Sequence, residues 1–88
     1  MAKKVCIVGP EVGLHARPAA DFVRLASLSN HGVTVSNRLG KKADGSSILA
    51  ILSLGAKHGE ELTIEVVGPD EDNVLDGLIR VVSGEKTV

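Results

Sequence analysis

The apolar residues of this chain recur at two spacings, and the switching between them is what most restricts its fold. In ELTIEVVG (61 to 68), Leu62, Ile64 and Val66 fall at every second position, the period of a strand with one face buried. From Ala16 to about Ser27, by contrast, Ala19, Phe22, Val23 and Ala26 fall at i, i+3, i+4 and i+7. That is one face of a helix, with Asp21 and Arg24 pointing elsewhere. The same two periods recur along the chain. KKVCIVG (3 to 9) reads as a strand ended by Gly9-Pro10. HGVTVSN (31 to 37), with alternating Val33 and Val35, and GKKADG (40 to 45) read as a hairpin with a weak, polar edge strand guarded by Lys41 and Lys42. A short helix, Ile48 to Leu54, starts at Ser47 and stops before Gly55. After Pro69-Asp70, acids that suit a helix start lead into a helix to about Ser83. It carries Val74, Leu75, Leu78, Val81 and Val82 on one side. Gly77 is its one blemish, costing about 1 kcal/mol in a helix interior.

The expected order is therefore β-α-β-β-α-β-α. It suits an α+β, open-faced two-layer β-sandwich, with helices over one face of a mostly antiparallel sheet and water on the other. The 88 residues (1 to 88) make one domain with a single modest core. Phe22 is the one aromatic residue, so that core is built from Val, Ile, Leu and Ala.

Several function classes lose ground at once. A net charge of −1 gives no global pull toward nucleic acid or membrane. There is no aromatic platform on which RNA bases would stack. Cys6 is the one cysteine, so no internal disulfide and no Cys-x-x-Cys motif exists, and it reads as a small buried hydrophobe. No segment approaches the roughly 20 apolar residues that span a bilayer, and MAKKVCIVG has no cleavage site. The expectation is a cytoplasmic protein that needs no cofactor or metal. His31 and His58 read as surface loop residues without a second ligand at metal spacing.

The stretch GLHARPAA (13 to 20) carries the chemistry. With a helix beginning at Ala16, His15 is its N-cap, followed by Ala16, Arg17 and Pro18. The first N–H groups of a helix lack internal partners and carry partial positive charge, an anion site. Proline fits there because its missing N–H would be one of those orphans. The amides of Ala16 and Arg17 and the Arg17 guanidinium can converge on a phosphoryl group held by the imidazole. The positive helix end lowers the imidazole pKa, keeping a nitrogen nucleophilic at neutral pH. Gly13 gives the loop freedom to present the ring. On spacing alone, an incidental capping or surface histidine explains the stretch equally well.

GLHARPAA, followed by an apolar helix and then by SILAILSLG (47 to 55), closely resembles the HPr family, and the resemblance covers essentially the whole chain. These are the histidine phosphocarriers of the bacterial phosphoenolpyruvate-dependent phosphotransferase system. The resemblance implies a four-stranded antiparallel sheet with three helices. It implies that His15 accepts phosphate on Nδ1 from enzyme I and passes it to sugar-specific enzyme IIA domains, with Arg17 contacting the phosphoryl group. It also implies, at Ser47, a regulatory site for an ATP-dependent HPr kinase. Ser46 is adjacent, and the hairpin carries one extra residue. An N-capping role explains Ser47 by itself. Val12 stands where several family members carry a polar residue near the phosphoryl group, which removes one stabilising contact.

The short helix argues for a docking surface independently. Ile48, Leu49, Ile51, Leu52 and Leu54 spread over about 220° of the helical wheel. A two-turn helix packed on one side cannot bury that arc, so Ile48, Leu49 and Leu52 are expected to form an exposed apolar patch beside the histidine, a partner surface. The expected protein is a monomeric phosphoryl shuttle for sugar uptake. One alternative is a regulatory adaptor of the same fold without a transport role. Another is a small hydrolase using Arg17 and helix amides, which lacks an evident water-activating residue.

Overall fold

A computed structural model of the chain describes residues 2–9, 16–29 and 31–84. The strands are β1 (Ala2–Ile7), β2 (Gly32–Asn37), β3 (Lys42–Asp44) and β4 (Glu61–Val67), and the helices are α1 (Ala16–Ser29), α2 (Ile48–Ser53) and α3 (Glu71–Ser83). The element order is the expected β-α-β-β-α-β-α, with α1 two residues longer at its C-terminus than the apolar periodicity suggests.

The sheet runs β1-β4-β2-β3, and every neighbouring pair is antiparallel. The strand with the cleanest alternation, β4, is central. Leu62, Ile64 and Val66 point from it into the core while Thr63 and Glu65 face the open side. Val33 and Val35 of β2, Ala43 of β3 and Cys6 of β1 join them. The core is closed by Ala19, Phe22 and Ala26 of α1, Ile51 of α2, and Leu75, Leu78 and Val82 of α3. The helices lie on one face; Val5, Ile7 and Val67 stand exposed on the other. Cys6 is a buried hydrophobe, and burial pushes its thiol pKa up to about 11, far from a reactive thiolate.

Two glycines mark close approaches. A Cβ on Gly9 would stand 1.9 Å from the Ser83 carbonyl oxygen, so the exit of β1 passes directly against the end of α3. The two segments are joined there by the Gly9 N–H to the Val82 carbonyl, 3.0 Å. At Gly77, a Cβ would lie 3.1 Å from Leu25 Cδ2. The unfavourable helix-interior glycine therefore makes room where α1 crosses α3, a packing reason that periodicity alone does not contain.

The start of α3 is unusual. Asp70 holds the capping position in a left-handed conformation, φ 59°, without a side-chain cap bond. Its carboxylate instead accepts from Asn73 Nδ2, 2.8 Å, while Glu71 and Asp72 occupy the first turn, where acids suit the helix dipole.

Candidate functional site

The register shows which parts of the chain gather at one end of the sheet. Ile7, the last residue of β1, pairs with Glu61, and Asn37, the last of β2, pairs with Leu62. The exits of β1 and β2 and the start of β4 therefore lie at the same end. The end of α3 reaches it through the Gly9–Val82 bond. Helix α1 terminates at the opposite end, where the Ser29 carbonyl meets Nδ1 of His31 just before β2 begins at Gly32. Fourteen residues of helix and six of strand both span roughly 20 Å, so α1 begins back at the first end.

That helix start is the expected site. It falls at Ala16, the residue after His15, as the sequence pattern requires. Arg17 is exposed in the first turn, which holds no acidic residue to compete with an anion. Pro18 sits in the same turn, where the missing N–H removes no helical bond. His15, Gly13 and Val12, together with the Ala16 side chain, lie outside the described residues.

The approach to the 10–15 segment is held by a compact set of bonds. Val8 N–H donates to the Glu60 carbonyl at 2.9 Å, and Gly59 N–H donates to the Val8 carbonyl at 2.9 Å. His58 Nδ1 bonds the Gly9 carbonyl at 2.9 Å. The exposed His58 is thus a surface residue with a structural bond that sequence did not reveal.

Helix α2 presents the expected patch. Ile51 is fully buried and Leu54 nearly so, whereas Ile48 and Leu52 are more than one-third exposed and Leu49 is 78% exposed. Ser47 is the N-cap: its hydroxyl accepts from Ala50 N–H at 3.3 Å. Its neighbour is bound differently. The Ser46 N–H and hydroxyl both donate to the Asp44 carboxylate, at 2.9 and 2.7 Å, and hold its pKa below the ordinary carboxylate value.

His31, expected as a surface loop residue, is half-buried and bonded at both ring nitrogens, with Nδ1 against the Ser29 carbonyl at 2.6 Å and Nε2 against the Pro69 carbonyl. Two carbonyl partners favour the imidazolium, which can donate from both nitrogens. These bonds, the Pro69 carbonyl first, raise its pKa, with help from Asp70 and Glu71. His31 clips the C-terminal end of α1 to the turn before α3, at the end of the sheet remote from the start of α1.

Charge is divided along the chain. Residues 60 to 76 hold Glu60, Glu61, Glu65, Asp70, Glu71, Asp72 and Asp76 and no Lys or Arg. Residues 16 to 59 hold six Lys or Arg against only Asp21 and Asp44. The half that carries α1, α2 and the hairpin is therefore basic, although the whole chain is near neutral.

The described residues thus form an open-faced antiparallel sandwich, with an arginine-bearing helix start just after a histidine in sequence and an apolar helix left half uncovered. Comparison with known proteins specifies the kind. The family model described as "PTS HPr component phosphorylation site" matches residues 2–83, and the chain belongs to the HPr family of phosphocarriers. It is 37% identical to phosphocarrier protein HPr of Streptomyces coelicolor over 83 residues, 94% of this chain and 89% of the relative. Its fold superposes on HPr from Bacillus anthracis with a TM-score of 0.85 at 33% identity, covering 92% and 95% of the two chains. It is also similar to the Bacillus subtilis catabolite repression protein Crh, solved as a domain-swapped dimer, with a TM-score of 0.76 and 34% identity over all of both chains. Among the described residues no helix is long and apolar enough to cross a membrane.

Proposed function

We propose that this chain carries phosphoryl groups on His15 for sugar uptake. Nδ1 of His15 attacks the phosphorus presented by phospho-enzyme I; the N–P bond forms as the bond to the donor breaks. The reverse sequence delivers the group to an enzyme IIA domain. Arg17 and the Ala16 and Arg17 amides balance the charge of the group while it rests on the carrier. The observation that carries this reading is that α1 begins at Ala16 with an exposed Arg17 and no acid in its first turn. A dianion on the preceding residue would meet only positive potential from that turn.

Ile48, Leu49 and Leu52 form the partner surface for enzyme I and the IIA domains. Their exposure removes no core contact, and a partner can cover them at little structural cost. Ser47 is the regulatory site for an HPr kinase. A phosphate there would face the amides of α2, whereas one on Ser46 would stand beside the Asp44 carboxylate that Ser46 already binds. The added charge at the rim of the apolar patch would weaken docking to an acidic partner. The protein acts in the cytoplasm as a monomer, with Lys42 on edge strand β3 and Lys41 beside it discouraging edge pairing. Sedimentation at micromolar concentration tests this against the dimer seen for Crh.

Incubation with enzyme I and phosphoenolpyruvate tests the central reading. Acid-labile phosphate should accumulate on His15 and then leave on addition of a IIA domain. His15→Ala should abolish labelling with the fold retained. Stoichiometric labelling of that variant would refute the assignment. Labelling without transfer to any IIA domain would favour the regulatory adaptor.

A further inference from the structure

The β2–β3 turn, Asn37 to Lys41, combines three properties that its role as a connector does not require. Its apex is the most exposed large apolar side chain among the described residues, Leu39 at 93%. It is held in one shape by the Asn37 side chain, whose Oδ1 accepts from Leu39 N–H and Lys41 N–H, each at 3.0 Å. Main-chain bonds close the same turn, from Asn37 N–H to the Lys41 carbonyl at 3.0 Å and from Gly40 N–H to the Asn37 carbonyl at 3.1 Å. Gly40 supplies the left-handed residue, φ 85°. The leucine is thus presented outward from a pre-shaped turn, which lowers the ordering cost of binding.

The second property is charge. Arg38, Lys41 and Lys42 surround Leu39, and no acid occurs from residue 36 to 43. The third is position. The register puts this turn at the end of the sheet where α1 begins, and Lys41 Nζ donates to the Ser53 carbonyl at the end of α2, 2.8 Å. The hairpin is therefore tied to the helix that carries Ile48, Leu49 and Leu52.

We propose that the hairpin tip is a second arm of the docking surface. Leu39 enters an apolar pocket rimmed by carboxylates on the phosphoryl donor, while Arg38 and Lys42 meet the rim. This rests on the reading of α2 as the donor's landing site. It adds a distinct contact, and the continuity of the tip with α2 and its uniformly positive charge select an acidic protein face as occupant.

The test measures phosphoryl transfer from phospho-enzyme I to the intact protein, with Leu49→Ser as the control for the α2 reading. Leu39→Ser should raise KM about fivefold with kcat unchanged, and Leu39→Met should restore it. Arg38→Ser/Lys42→Ser should raise KM at low ionic strength, and the increase should fade as salt approaches roughly 0.5 M. Thermal midpoints should stay put, because Leu39 buries almost nothing. An unchanged KM for Leu39→Ser beside a raised KM for Leu49→Ser would overturn the hairpin arm and leave α2 docking intact. Unchanged values for both would overturn the two together.

Discussion

Helices α2 and α3 are both rich in apolar residues, yet they spend them differently. Over thirteen residues α3 buries Leu75, Leu78 and Val82 against the sheet and α1, and turns Asp72, Asp76 and Arg80 outward. Over six residues α2 buries Ile51, with Leu54 at its end, and leaves Ile48, Leu49 and Leu52 uncovered. A one-sided contact can hide about half of a helix circumference. The apolar arc of α3 fits within that limit and stabilises the fold; that of α2 exceeds it, and the surplus is available to a partner. The contrast separates residues that hold the protein together from residues left exposed for the proposed docking surface.

Truncation should make that separation quantitative. Leu78→Ala empties a fully buried position and is expected to cost about 3 kcal/mol of unfolding free energy, read from denaturant melts. Leu49→Ala should change stability by less than about 0.5 kcal/mol, since its side chain is already in water. Its effect should appear instead as a roughly tenfold rise in KM for phospho-enzyme I. Equal loss of stability in both variants would erase the distinction. Ser47→Ala should cost about 1 kcal/mol through loss of the cap, while Ser47→Asp, which keeps a cap acceptor, should weaken docking with little loss of stability.

The smallest effect lies at the other end of the molecule. The folded pKa of His31 is raised above its unfolded value, so the stability from its two carbonyl bonds is fully present below the unfolded pKa. It is lost as pH rises through the folded pKa. Subtracting the thermal midpoint of His31→Gln from that of the native chain at each pH should give a difference that shrinks from about pH 6 upward. A difference that grows with pH would show that the imidazole, not the imidazolium, forms the clip.

The exposed trio of α2 was legible because it is a counting argument. Five large apolar residues in seven positions exceed one face, whatever the helix packs against. The alternation in β4 and the helical spacing in α1 likewise located the core faces, since burial of one face imposes its own period on any soluble element. The remote partners of His31, the bond from His58 to Gly9 and the need for Gly77 were not legible. Each depends on residues distant in sequence: Pro69 for His31, Gly9 for His58, Leu25 for Gly77.

Local spacing by itself determined which segments become strands and helices, which side of each turns inward, and that a histidine precedes an arginine-bearing helix start. Only the tertiary structure decided the strand order β1-β4-β2-β3, and with it the gathering of the β1 exit, the start of α1, the end of α3 and the hairpin tip at one end. The division has a physical cause. Period and propensity act between neighbours a few residues apart, whereas strand pairing and helix crossing are set by the shared burial of faces that the chain brings together only when folded.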